Sequence, residues 1–118
     1  MESWDTRGLA VEAHRPQVLR SDEETRIIAI HLPAGEELQE HQVHERAFLF
    51  VSDGEVEVGT ADAAGGEGEE VVTGGPGLLA HFAPAERHRV RALSDARLVL
   101  VLAPWPGLGH PSRPGQTA

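Results

Sequence analysis

The sequence predicts an all-β fold, a single-domain antiparallel sandwich or barrel. Three observations predict it. Short apolar or alternating runs recur about every ten residues from residue 25 onward. Each run is bounded by Gly, Pro, Asp or Ser, the residues that punctuate strands with turns. The one stretch with any helical character, "EELQEHQVHERAF", offers only Leu38, Val43 and Ala47 as an apolar stripe, too poor for an amphipathic helix.

The elements follow in order. "TRIIAIHL" (25–32) is β-branched and apolar, and stops at the turn Pro33-Ala34-Gly35. "AFLFV" (47–51) ends at Ser52-Asp53-Gly54. "EVEVG" (55–59) alternates, with Val56 and Val58 on one face and Glu55 and Glu57 on the other. "EEVVT" (69–73) follows a Gly/Ala/Glu-rich loop at 61–68, read as a flexible hairpin connection. "GLLAHFAP", "HRVRAL" and "ARLVLVLAP" complete the set. In "AFLFV" both faces are apolar: Phe48 and Phe50 on one, Ala47, Leu49 and Val51 on the other. A strand covered on both sides predicts a partner over one of them, hence a homodimer.

At 118 residues the chain is expected to form one domain: an N-terminal segment with leading strand(s) over 1–24, the barrel over 25–103 and a Pro/Gly-rich tail over 104–118. That tail holds four of the eight prolines and cannot be a regular element; Trp105 predicts that its start is packed down, while its end is expected to be disordered. The net charge of −9 argues against a nucleic-acid partner, which would need a basic surface. No run is long and apolar enough for a membrane helix, and the first residues lack the layout of a signal peptide. With no cysteine there is neither a disulfide framework nor thiolate chemistry. A bacterial, cytoplasmic protein acting on small molecules is the expectation. All ten basic residues are Arg, so the glycine-rich stretches have no Lys with which to form a phosphate loop.

"EHQVHE" (40–45) concentrates two histidines and two carboxylates. On a regular strand His41 and His44 point to opposite faces, so they can share a metal only if the strand breaks or bulges between them. The helical zinc motifs, with histidines four apart around an internal Glu, do not match.

The stretches "GEELQEHQVHERAFLFVSDGEVEV" (35–58) and "GLLAHFAPAERHRVRAL" (77–93) together resemble the cupin family. Gly35, His41 and Gly54 fall in register with its first motif. Gly77, Pro84 and His88 match its second, with one extra residue before the proline. The resemblance spans about 25–103 and implies an antiparallel jelly-roll β-barrel with a ligand in its mouth. It also implies a divalent metal (Fe, Mn, Ni or Zn), held in such proteins by two His and a Glu of the first motif and a His of the second. Carried over, His41 is the first ligand and His88 the last. Val43 stands at the second His position and Ala47 at the Glu position, so His44 or Glu45 would have to substitute by a one-residue shift.

The resulting site set is His41, His88 and His81 as ligand-binding residues, Leu49, Val51 and Phe82 as apolar walls, and His41, His44 and His88 as metal donors. Glu45 reads as a solvated carboxylate, His31 as structural, and His14 and His110 carry no context. Arg87, Arg89 and Arg91 share the strand face opposite His88. The function expected is small-molecule binding with a degenerate or weak metal site; the alternative is a metal-dependent, dioxygenase-like enzyme using His41, His88 and a shifted third ligand.

Overall fold

The computed structural model describes residues 1–41, 44–61 and 70–107, with the side chains of residues 39–41 and 61 also outside the description. The hairpin loop read at 61–68 lies almost wholly beyond it, as do Val43, His110 and the end of the tail.

Among the described residues, nine strands form two antiparallel sheets. They are β1 (Gln17–Ser21), β2 (Arg26–Leu32), β3 (Glu37–His41), β4 (Arg46–Asp53), β5 (Val56–Ala61), β6 (Glu70–Gly74), β7 (Leu79–Phe82), β8 (Arg87–Ala92) and β9 (Ala96–Ala103). One sheet runs β1-β2-β9-β4-β7 and the other β3-β8-β5-β6. The predicted barrel is therefore a two-layer sandwich: no ladder joins the two sheets among the described residues, though the layout is consistent with a jelly roll.

Alternation builds the core. In β4, Ala47, Leu49 and Val51 are buried while Phe48 and Phe50 face out. Cross-strand register aligns Ile28, Leu100, Leu49 and Ala80 in one inward row. Leu102, Ala47 and Phe82 form a second. Val56, Val58, Val90 and Ala92 of the other sheet close over them. Burying such side chains stabilises by roughly 1.5–3 kcal/mol each.

The turns are set by Pro and Gly. Gly75-Pro76-Gly77-Leu78 closes with Leu78 N–H donating to Gly75 O at 3.0 Å, and Gly77 sits at φ 98°. Ala83-Pro84-Ala85-Glu86 repeats the form, with Glu86 N–H on Ala83 O at 3.0 Å, but its third position is Ala85 at φ 65°. The Glu86 carboxylate accepts the Ala83 N–H at 2.9 Å, which helps fix this turn immediately before His88. Asp22 joins β1 to β2 by accepting the Glu24 and Thr25 amides, and these two bonds hold its carboxyl below the usual range.

The N-terminal segment crosses the outer face of the five-stranded sheet. Arg97 Nη1 donates to Leu9 O at 2.7 Å, and His31 Nδ1 to Val11 O at 3.1 Å. His31 Nε2 lies 2.9 Å from Asp95 Oδ1, so both ring nitrogens of His31 are engaged.

Among the described glycines, Gly54 leaves the least room for a side chain. It lies at φ 78°, and a Cβ there would run into Asp95 O and come within 2.7 Å of Ala96 Cα. Gly54→Ala is expected to cost about 2–4 kcal/mol, from left-handed strain and backbone overlap together. An unchanged urea midpoint would refute this.

Candidate functional site

The site is built around His88, one of three buried polar residues among those described; the others are Glu45 and Ser52. The β8 alternation carries it inward with Val90 and Ala92, while Arg87, Arg89 and Arg91 take the other face. His88 is 3% exposed and stacks on Phe82, ring centroids 4.1 Å apart and planes 8° from parallel. Such a stack contributes about 0.5–1.5 kcal/mol beyond area burial.

The ring's hydrogen bonding defines its chemistry. Nδ1 is 3.2 Å from the carbonyl oxygen of Glu86, which can only accept. Nδ1 therefore carries the proton, and in the neutral ring Nε2 holds the lone pair. A backbone carbonyl on one nitrogen is the arrangement that orients the other toward a ligand.

His41 ends β3, and its Cα pairs with that of His88. A register shift between Leu38 and His41 inserts one extra residue, so the strand bulges upstream of the histidine rather than at 43–44. The His41 side chain lies outside the described residues. His44, past the strand's end, is exposed.

Glu45 is the main departure from the sequence reading. It is buried, at 1% exposure, rather than solvated. Its Oε2 accepts the Gly107 N–H at 2.6 Å, a bond that ties the chain after β9 back to the start of β4. Gly107 has no room for a side chain: a Cβ would sit 2.7 Å from His44 O and 2.9 Å from Glu45 Oε2. Trp105 anchors the same strap, with its N–H on Glu24 O at 3.0 Å and the Arg26 guanidinium 4.6 Å over its ring. The sequence did hold a signal for Glu45: it continues the inward phase of Ala47, Leu49 and Val51.

The remaining candidates separate. Leu49 and Val51 are sealed in the core, at 1% and 0% exposure. Phe82 belongs to the core and also lines a cavity of about 180 Å³ at the seam where β5 and β6 face β7. His81 stands at the lip of that cavity, exposed, with its ring 4.9 Å from Phe48. Thr60, the cross-strand partner of His88, lines it too, and spacing gave no hint of that.

Among the described residues no three His, Cys, Asp or Glu side chains come together closely enough to hold a metal ion. His88 is oriented for the task, but Glu45 is committed to Gly107 and His44 is exposed.

No protein-family model matches the sequence, and no curated protein does. Solved structures do match. An RmlC-like cupin from Desulfovibrio desulfuricans superposes with a TM-score of 0.72 at 24% identity, over 88% of this chain and 97% of that one. The chain has the cupin fold. A second cupin, from Methanocaldococcus jannaschii and described as a double-stranded β-helix, gives 0.65 at 20% identity over 77% and 80%. The Bacillus subtilis oxalate decarboxylase, which has Mn(II) centres, gives 0.68 at 22% over 78% of this chain; the chain spans a quarter of that enzyme's length, 25%. In this fold His41, at the end of β3, and His88, on β8, are paired across the ladder.

Two outcomes test the strap. Glu45→Ala leaves the Gly107 N–H without its acceptor and is expected to cost about 1–3 kcal/mol. In a Trp4→Phe background, Trp105 emission should shift to the red as the strap loosens. Unchanged stability and emission would contradict the latch.

Proposed function

We propose that the chain is a small-molecule-binding cupin-fold domain whose ligand is held at His88, with a weak metal site at most. The observation that carries the reading is the His88 ring: buried, stacked on Phe82, and bonded through Nδ1 to Glu86 so that Nε2 is the acceptor nitrogen. An oriented imidazole whose neighbours Phe82 and Thr60 line a largely apolar cavity suits a small polar or anionic ligand with a donor for Nε2. His41 is the second recognition group by its register with His88, and His81 and Thr60 border the adjoining cavity.

The test is thermal stabilisation by a panel of small polar and anionic metabolites. A ligand present at 100 times its Kd stabilises by about 2.7 kcal/mol. The response is expected to vanish in folded His88→Ala protein. A response that survives this substitution places the ligand elsewhere.

The second reading is a metal-dependent enzyme using His41, His88 and a shifted donor. The structural similarity to an oxalate decarboxylase with Mn(II) centres keeps it open, as does the pairing of the two histidines. A bound metal would supply a Lewis acid and open coordination positions. Elemental analysis of untagged protein separates the readings. Content well below one metal per chain, not restored by adding Fe, Mn, Ni or Zn, supports the first. Near-stoichiometric metal that falls as much in His44→Ala as in His41→Ala supports the second.

A homodimer belongs to the same proposal. Beyond the part covered by the N-terminal segment, the outer face of the five-stranded sheet aligns Val99, Phe50 and Leu79 in one row and Ile27, Val101, Phe48 and His81 in the next. Phe50 and Leu79 are 39% and 63% exposed. An apolar surface of this kind marks a contact, and a second copy presents the matching face. Light scattering at micromolar concentration is expected to give twice the 12.7 kDa chain mass; a monomer mass would refute it.

A further inference from the structure

A second cavity, of about 230 Å³, opens at the opposite seam of the sandwich from His81 and Phe82. It exists because β1 pairs only with residues 26–29 of β2, so the last residues of β2 have no strand partner on that side. The seam between β2 and β3 is left open there. Its floor is apolar: Ile30 and Leu32 from one sheet and Leu38 from the other. Its rim carries His14, Glu36 and Glu37, and among the described residues no Arg lines it.

The rim is built rather than incidental. Glu36 closes the turn at Pro33, its N–H on Pro33 O at 3.0 Å. Its carbonyl accepts the Ala92 N–H at 2.9 Å, and Gly35 N–H reaches Ala92 O at 2.8 Å, so the turn is pinned to β8. His14, from the N-terminal segment, is held at φ 65°, a backbone conformation uncommon for a residue with a side chain. From there its Nε2 comes within 3.2 Å of Glu36 Oε2, spanning the mouth. His31, also at the rim, has both ring nitrogens engaged, by Val11 and Asp95. Glu37 has Arg91 as its cross-strand neighbour. Glu36 therefore faces the mouth with the His14 imidazole as its neighbour and, among the described residues, no Arg in the lining.

An apolar floor beside a carboxylate carried on a pinned turn suits one chemistry. We propose that the β2–β3 seam binds a small organic cation, a protonated primary amine on a short apolar chain, with the ammonium on Glu36 and the chain against Ile30, Leu32 and Leu38. The His14 imidazole occupies the ammonium's place in the ligand-free protein and competes with it. This site stands apart from His88 and does not rest on the reading given for it.

The test is a ¹H–¹⁵N amide titration with n-butylamine, protonated at neutral pH, beside 1-butanol and butyrate as neutral and anionic controls. The amine is expected to shift the amides of β2 and of residues 36–38 saturably, at least tenfold more tightly than either control. Glu36→Gln should weaken it at least tenfold with the amide spectrum otherwise intact. His14→Ala should leave it unchanged or tighter. Equal response to butanol, unsaturable shifts scattered over acidic surface, an unaffected Glu36→Gln variant, or loss of binding in His14→Ala would each overturn the proposal.

Discussion

An imidazole buried between two apolar sheets is the constraint on which the site depends. A polar ring in that position costs free energy unless its nitrogens are provided for. The protein provides for one of them locally: the Pro84-Ala85 turn brings Glu86 O to His88 Nδ1, and Glu86's own carboxylate braces the turn. Phe82, from the facing sheet, covers the ring plane. Sheet packing, turn geometry and tautomer are thus one problem with one solution, in which Nδ1 is the donor.

The same logic extends to the mouth. Glu45 begins β4 in the inward phase, two residues from Ala47, whose cross-strand partner is Phe82. A carboxylate sealed there needs a strong donor, and Gly107 supplies it at 2.6 Å. Because Gly107 fits only without a side chain, the strap approaches closely enough to bring Trp105 down on Arg26. Glu45, a shifted-donor candidate by sequence, instead fastens the segment that follows β9.

Much of the fold was legible because strands announce themselves by alternation and by their turns. The β4 pattern, the Gly54 and Gly77 turns and the β8 phase all follow from period two and from where glycine or proline falls. β1 was not individually legible: "QVLRS" is short, polar and exposed, and is held mainly by its pairing with β2. Two separate sheets in place of a closed barrel could not be read either, since alternation gives the face of a residue but not whether edges meet. The site was legible in part. His88 and Phe82 follow from phase, whereas the bulge before His41, the burial of Glu45 against a glycine 62 residues away and the His14–Glu36 contact depend on tertiary approach. Leu49 and Val51 show the limit of wall assignment: an inward residue deep in a sandwich is core, and only those near a seam meet a ligand.

The most direct measurement is a long-range ¹H–¹⁵N spectrum of the histidine rings near neutral pH, with His88 assigned by substitution. The expected result is a neutral His88 ring protonated at Nδ1, its Nε2 resonance in the unprotonated range and moving when a ligand or divalent ion binds. A ring protonated at Nε2 instead would contradict it, because the nitrogen assigned to recognition would then be a donor and the bond to Glu86 would not exist.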